Sequence, residues 1–216
     1  MLRTLSLVVL IACAVISGCR GPVIARVDSY APIDAEIYAL VLDSLFINRT
    51  GDATRRLILR DSTTLSRTES LPLSFWEPFL ALTAGDTTVV RDFQIASGSR
   101  RSLAPIAASL RQRVRSPVDF VSGTRLMQVR ARADSLGPPL MSNMLREPYW
   151  QAFYATFPAA FGSTSVSAIG YGQTGATALL YVDHRCGELC GEGNLVLLAR
   201  RADDWRILKI AQLWIS

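Results

Sequence analysis

The chain of 216 residues contains 23 basic and 18 acidic residues, which gives a formal net charge of +5 at pH 7. This excess is modest for the size of the chain, and it argues against nucleic acid as a partner. Hydrophobic residues make up 50% and charged residues 19% of the sequence, a composition that is typical of a folded globular protein and excludes a largely disordered one.

The first residues have the pattern of an export signal. Arg3 gives a positive start, Leu5 to Ile16 form an apolar run, and Ser17-Gly18-Cys19 supplies small residues before a cysteine. An apolar run of about a dozen residues is shorter than the roughly 20 that span a bilayer, so a cleaved signal is expected. The Ile-Ser-Gly-Cys pattern resembles the lipobox of bacterial lipoproteins. This resemblance implies that Cys19 is lipidated, palmitate being one of the expected acyl groups.

We therefore predict a lipoprotein signal peptide over residues 1–18, a lipidated tether over 19–30 and a single α+β domain over 31–216. An ordinary secretory signal that happens to contain a cysteine is the alternative. Arg20 follows Cys19 in place of the aspartate that commonly retains lipoproteins in the inner membrane. The expected location is the cell envelope, at the outer membrane, facing the periplasm or the cell surface.

After the tether, the apolar spacing predicts an amphipathic helix that begins at Pro32 and ends near residues 46–48, followed by a short buried strand over residues 56–60. The middle of the chain predicts a helical turn over residues 76–80 and a helix that Asp86 caps and Gly98 ends. Residues 117–121 and 124–129, joined by Ser122-Gly123, have the pattern of a hairpin. Leu136-Gly137-Pro138-Pro139 predicts a break.

The C-terminal part predicts a helix from Pro148 and then four strands, over residues 165–171, 176–183, 195–200 and 206–214. Short polar connections make neighbouring strands antiparallel. In the last strand, alternation places Ile210 and Trp214 on the same face. The predicted fold is α+β, a C-terminal four-stranded antiparallel β-meander covered on one face by amphipathic helices.

The cysteines reduce to one pair outside the signal. Cys13 leaves with the signal and Cys19 is taken by lipid, so Cys186 and Cys190 remain, in an oxidising compartment. They lie in the segment His184 to Asn194, which we predict to be a hairpin loop and which holds the only histidine of the chain. A disulfide between Cys186 and Cys190 is the favoured interpretation, with glycines that permit tight turns.

Two alternatives stay open for this segment. Copper or zinc would use His184, Cys186 and Cys190, although a fourth ligand is missing from the pattern. Thiol redox chemistry would need one cysteine of lowered pKa beside a resolving partner. No Gly-x-Ser-x-Gly elbow or phosphate-binding loop is found, so no catalytic residue and no cofactor is assigned, and the sequence leans away from an enzyme.

The last part of the chain resembles exported bacterial proteins of unknown function. The resemblance rests on Cys-Gly-Glu-Leu-Cys-Gly at residues 186–191, on Leu-Trp-Ile-Ser at residues 213–216, and on the aromatic and apolar segments from residue 149 onward. It implies a shared fold and no established activity. We expect a binding or structural module of the envelope, with an envelope protein or a small molecule as its partner beside the membrane. A metal- or thiol-dependent factor is the alternative.

Overall fold

The computed structural model describes residues 31–47, 54–65, 68, 71–135 and 148–216. These residues belong to one compact unit, Ala31–Ser216. The predicted signal peptide, the lipidation site Cys19, the tether and the predicted break at residues 136–139 lie outside the described residues.

Helices and strands alternate irregularly along the described part of the chain. The helices are α1 (Ala31–Leu42, followed by a π-helical turn at Asp43–Ile47), α2 (Leu73–Leu80), α3 (Thr88–Ser97), α4 (Ala107–Arg113), α5 (Gly123–Ser135) and α6 (Pro148–Thr156). The strands are β1 (Arg56–Arg60), β2 (Val118–Val121), β3 (Ala160–Val166), β4 (Gly170–Tyr171), β5 (Thr177–Gly187), β6 (Cys190–Arg201) and β7 (Asp204–Ile215). The predicted helices at Pro32, Asp86 and Pro148 and the predicted strand at residues 56–60 are confirmed.

The strands form one mixed sheet in the order β2-β1-β3-β5-β6-β7, with β4 paired to β5. The pairs β1–β2 and β1–β3 are parallel, and the remaining pairs are antiparallel. The predicted α+β class and the antiparallel C-terminal run are confirmed. The run is only part of a larger sheet, and its predicted first strand is divided between β3 and β4.

Helices cover both faces of this sheet, so the prediction of a one-sided cover is wrong. We call the face of the sheet that packs against α1 the α1 face and the opposite face the α3 face. The α1 face carries Leu59 and Leu180, which belong to the cluster formed with α1 and α4. The α3 face carries Leu179, which packs with α2 and α3, and Ile58, which packs with α5 and α6. The physical reason is that neighbouring strand residues are all buried: Ala178, Leu179 and Leu180 are each 0% exposed. A strand with two apolar sides needs a layer on each side.

The predicted hairpin at residues 117–129 is also wrong. Val118–Val121 is a strand, but it pairs in parallel with β1, and the residues after Ser122 form helix α5. Val129 and Ala133 of α5 are buried against α6 and Ile58. Ser122 Oγ accepts a hydrogen bond from Arg125 N at 3.1 Å, which satisfies a free amide at the start of the helix.

Helix α3 is fixed to β4 and the loop that follows it through two carboxylates. Asp92 Oδ2 accepts a hydrogen bond from Tyr171 N at 2.7 Å. Asp86 lies one residue before the N-cap position, Thr87, and its carboxylate caps the first turn of α3, with Oδ1 accepting from Thr88 N at 2.9 Å and Oδ2 from Gln173 N at 3.0 Å. Burial acts to raise the pKa of Asp86, but the hydrogen bonds from Gln173 and Thr88 outweigh it, so the pKa lies below the usual value. The cap is therefore ionised at neutral pH.

Candidate functional site

Four residues in direct register form a row across the C-terminal half of the sheet, on the α1 face. Thr164 of β3 lies opposite His184 of β5, and His184 lies opposite Glu192 of β6. Glu192 lies opposite Ile215 of β7. Directly opposite residues place their side chains on the same face, about 5 Å apart. The row brings an imidazole and a carboxylate side by side, with the hydroxyl of Thr164 at one end and the apolar Ile215 at the other.

His184 is a buried member of this row. Its side chain is 6% exposed, and Nδ1 lies 2.9 Å from Thr164 Oγ1. The ring centroid lies 4.6 Å from that of Phe46, which follows α1, and 6.1 Å from that of Phe161 on β3. Two aromatic rings and one hydroxyl therefore fix the orientation of the imidazole.

The segment that was predicted as a loop over residues 184–194 is mostly strand. Strand β5 continues to Gly187 and β6 begins at Cys190, so only Glu188 and Leu189 form the turn. Cys186 and Cys190 lie at disulfide-bonding distance, with Cα atoms 5.0 Å apart. Tyr154 of α6 donates a hydrogen bond from Oη to Cys186 O at 2.8 Å. The end of the hairpin is thus tied to a helix of the other face.

Three residues of the row, His184, Glu192 and Ile215, form the floor of an open cavity of about 420 Å³. The turn after α1 supplies one wall, Phe161 another, and the hairpin end with the two cysteines a third. The lining residues are Leu45, Phe46, Phe161, His184, Cys186, Leu189, Cys190, Gly191, Glu192, Ile215 and Ser216. Cavities that bind small molecules measure about 300–1,000 Å³ and combine apolar walls with a few polar groups. This cavity has both properties.

The structure brings the three metal candidates to one cavity. His184, Cys186 and Cys190 all line it. Among the residues that the structure describes, no group of three or more His, Cys, Asp and Glu side chains is placed to hold a metal ion.

A polar cluster on the α3 face was missed by the sequence analysis. Trp214 Nε1 donates a hydrogen bond to Tyr181 Oη at 2.7 Å. Arg185 stacks on the Trp214 ring, 5.0 Å from its centroid, and its Nε lies 3.4 Å from Asp183 Oδ1. Trp214 lies on the face opposite to that of Ile210, contrary to the prediction, because a register shift between Gly193 and Asn194 changes the alternation of β7.

Burial controls the ionisation of this cluster. It raises the pKa of Asp183, and the opposing attraction of Arg185 does not offset it. Burial also raises the pKa of Tyr181 to about 12, against the hydrogen bond from Trp214. Tyr181 is therefore a neutral phenol at physiological pH, able to accept from Trp214 while its own proton points toward Asp183, whose Oδ2 lies 3.4 Å away.

Replacing both Cys186 and Cys190 by serine is expected to leave a folded protein. The pair closes a very short loop, so its loss is expected to lower the free energy of unfolding by about 1–2 kcal/mol, at or below the low end of the range usual for disulfides. The buried strands keep the hydrophobic core intact. Urea unfolding of the variant and of the oxidised parent measures the difference. A variant that is globally unfolded at room temperature would show that the hairpin end has a larger role.

None of the helices in the described ranges is long and apolar enough to cross a membrane. Comparison with protein-family models, with curated proteins and with solved structures found no match for this chain.

Proposed function

We propose that this protein is a lipid-anchored binding module of the bacterial cell envelope, and that it holds a small, largely apolar molecule in the cavity above His184. The observation that carries the proposal is the cavity itself. Its volume is about 420 Å³, Leu45, Phe46 and Phe161 line its walls, and His184, Glu192 and Ile215 lie on its floor. Apolar walls supply affinity, and a few fixed polar groups orient the ligand.

The proposed anchor is the lipid on Cys19, with the following residues as a tether between the outer membrane and the folded unit. A binding module held close to a membrane meets apolar and amphiphilic molecules at high local concentration.

The test uses the full chain with Cys19→Ser, exported without lipid, and the neutral fluorescent probe N-phenyl-1-naphthylamine. We expect saturable 1:1 binding with a Kd on the order of micromolar. Ile215→Asp on the cavity floor is expected to weaken binding at least tenfold, because it places a second carboxylate beside apolar walls.

Met127→Asp is the matched control, because Met127 on α5 and Ile215 are both 73% exposed and only Ile215 lines the cavity. Absence of saturable binding, or equal loss in the two variants, would refute the proposal. Stoichiometric copper or zinc in the purified protein, lost in Cys186→Ser, would favour the metal- or thiol-dependent function at His184, Cys186 and Cys190 instead.

A further inference from the structure

We infer that the folded unit has a membrane-docking surface, made by exposed arginines of α4 and α5 that contact the headgroups of anionic phospholipids. We call these arginines the basic surface: Arg111, Arg113, Arg125, Arg130 and Arg132. The inference goes beyond the proposed function and rests on it in one respect, because the lipid on Cys19 supplies the bilayer. It is carried by the concentration of positive charge beside β2, by the neutral partners of these arginines and by the length of the tether.

Positive charge is concentrated in one part of the chain. Residues 93–133 contain eight arginines and one acidic residue, Asp119, so this segment carries more positive charge than the whole chain, whose net charge is +5. Asp119 is paired with Arg56, which lies outside the segment. Of the eight arginines, Arg115 is paired with Asp43. A concentration of one sign of charge attracts a surface of the opposite sign.

The basic surface surrounds one edge of the sheet. Strand β2 is the edge strand, with α4 against the α1 face and α5 against the α3 face. On the α4 side, Arg111 lies over the Phe120 ring of β2, 4.9 Å from its centroid, and its Nε donates a hydrogen bond to Val118 O at 3.4 Å. A charged side chain therefore covers part of the edge of β2, as is common for edge strands.

The arginines of α5 lie on two sides of that helix. Arg130 faces α6, where its guanidinium is 5.8 Å from the centroid of the Tyr149 ring. Arg125 and Arg132 are seven residues apart, close to two full turns, so they share one side of the helix, and this side is opposite to that of Arg130. Because α6 extends toward β5, to which Tyr154 is hydrogen-bonded, the side of Arg125 and Arg132 is that of the β2 edge.

The side-chain contacts of the basic surface are with neutral groups. Arg113 Nε donates to Ser109 Oγ at 3.3 Å, and Arg125 Nη1 donates to Gln128 Oε1 at 3.2 Å. None of the five arginines has an ion-pair partner within the described ranges of the chain. A guanidinium stays charged at any physiological pH, and neutral partners do not compensate its charge. All five charges therefore face solvent uncompensated.

These positions fit an extended anionic surface better than a single anion. The arginines lie on both sides of β2 and contact different partners, so they do not converge on one point. A plane of headgroups offers a phosphate to each guanidinium, and arginine binds phosphate through two parallel hydrogen bonds. Each basic side chain close to an anionic bilayer adds to the attraction.

The proposed lipid anchor makes a bilayer the nearest such surface. Eleven residues, 20–30, separate Cys19 from Ala31, where α1 begins. A chain of that length reaches at most about 40 Å, at roughly 3.3–3.6 Å per residue. The anchored unit is therefore held close to the headgroups, where docking is an intramolecular step and a weak attraction is enough to orient the unit.

The test measures co-sedimentation of the full chain with Cys19→Ser, which lacks the lipid, so that the basic surface acts alone. Vesicles of phosphatidylglycerol and phosphatidylcholine in equal parts are compared with vesicles of phosphatidylcholine. We expect binding to the anionic vesicles to be at least tenfold tighter. The difference is expected to fall as NaCl is raised, because the attraction between exposed charges is screened by salt.

Replacing Arg125 and Arg132 together by glutamine is expected to weaken binding to the anionic vesicles at least tenfold, since each arginine contributes roughly a fivefold factor. Replacing Arg201 and Arg206 together by glutamine is the matched control. It removes the same charge from two exposed arginines on β6 and β7, at the opposite edge of the sheet, and a change of less than about twofold is expected there. Urea unfolding verifies that both variants fold.

Equal binding to the two kinds of vesicle, or equal loss in the two double variants, overturns the inference. Binding of poly-glutamate without binding of the anionic vesicles also overturns it and indicates an acidic protein as the partner. These arginines do not line the cavity. Failure of vesicle binding therefore leaves the proposed ligand binding standing, and failure of the neutral probe to bind does not affect the vesicle result.

Discussion

Gly162→Ala is expected to destabilise the protein by about 3 kcal/mol or more and to abolish binding in the cavity. Gly162 has φ of +133°, a conformation that side chains with a Cβ rarely adopt. An added Cβ would overlap Arg185 O and would lie 2.9 Å from His184 Cε1 and 3.0 Å from Cys186 Cβ. His184 and Cys186 both line the cavity, so the variant is expected to displace the imidazole and the hairpin end together.

The local geometry explains why glycine is needed at this position. Strand β1 pairs Arg56 with Ala160 and Ile58 with Ser163, so β3 contains an extra residue within this interval. Such a bulge commonly places a glycine where φ is positive and where another backbone approaches closely. At Gly162 the approaching backbone is that of β5.

Gly175→Ala is the matched control for Gly162→Ala, because Gly175 has φ of +70° and an added Cβ would meet nothing within 4 Å. It reports the cost of positive φ alone, about 1–2 kcal/mol. Urea unfolding of both variants and a titration with the neutral probe measure stability and binding. Equal destabilisation by the two variants, or unchanged probe binding in Gly162→Ala, would contradict the expectation.

Gly170→Ala is expected to cost about 2–4 kcal/mol through the packing of α3 on the sheet. An added Cβ at Gly170 would overlap the backbone N and Cα of Phe93. A backbone cannot rotate away as a flexible side chain can, so α3 must move off β4. That movement weakens the hydrogen bond from Tyr171 N to Asp92 and opens the cluster around Phe93, which is 0% exposed.

Gly98→Ala is the control for this packing effect. At Gly98, just after α3, an added Cβ would meet only Ile95 O at 3.4 Å and Gln94 O at 3.6 Å, which are ordinary contacts. We expect a change within about 0.5 kcal/mol. Thermal or urea unfolding compares the two variants, and a Gly170→Ala protein as stable as Gly98→Ala would show that α3 does not pack against the sheet as described.

The antiparallel C-terminal strands were predictable because their connections are local. The apolar runs at residues 176–183, 195–200 and 206–214 are joined by short polar segments, and short connections favour an antiparallel neighbour. The structure shortens both connections to two residues, Glu188-Leu189 and Ala202-Asp203. The N-terminal half offered no such signal. Strand β2 pairs with β1 in parallel, and no pattern within Val118–Val121 reveals a partner that far back in the chain. Ser122-Gly123 has the composition of a turn, although here it begins a helix.

The candidate site was predicted only in part. The sequence identified His184, Cys186 and Cys190 because of their residue types, but it placed Glu192 in a loop. Glu192 belongs to β6, opposite His184, and this register depends on pairing that extends to Gly187 and Cys190. The contribution of Phe46 was also hidden, because it depends on where α1 ends above the sheet.

The position of β1 between β2 and β3 has a consequence for folding. Both neighbours of β1 follow it in the chain, and one of them, β3, begins only at Ala160. Ribosomes release the N-terminal part first, so Leu57, Ile58 and Leu59 have no sheet partner until β2 has been made, and β1 is paired on both sides only after β3 has followed. The hairpins from β5 to β7 form by local contacts and fast loop closure, whereas inserting β1 requires long-range closure. Completion of the parallel half is therefore the expected late step, and the apolar strand β1 is the segment most exposed to aggregation before it.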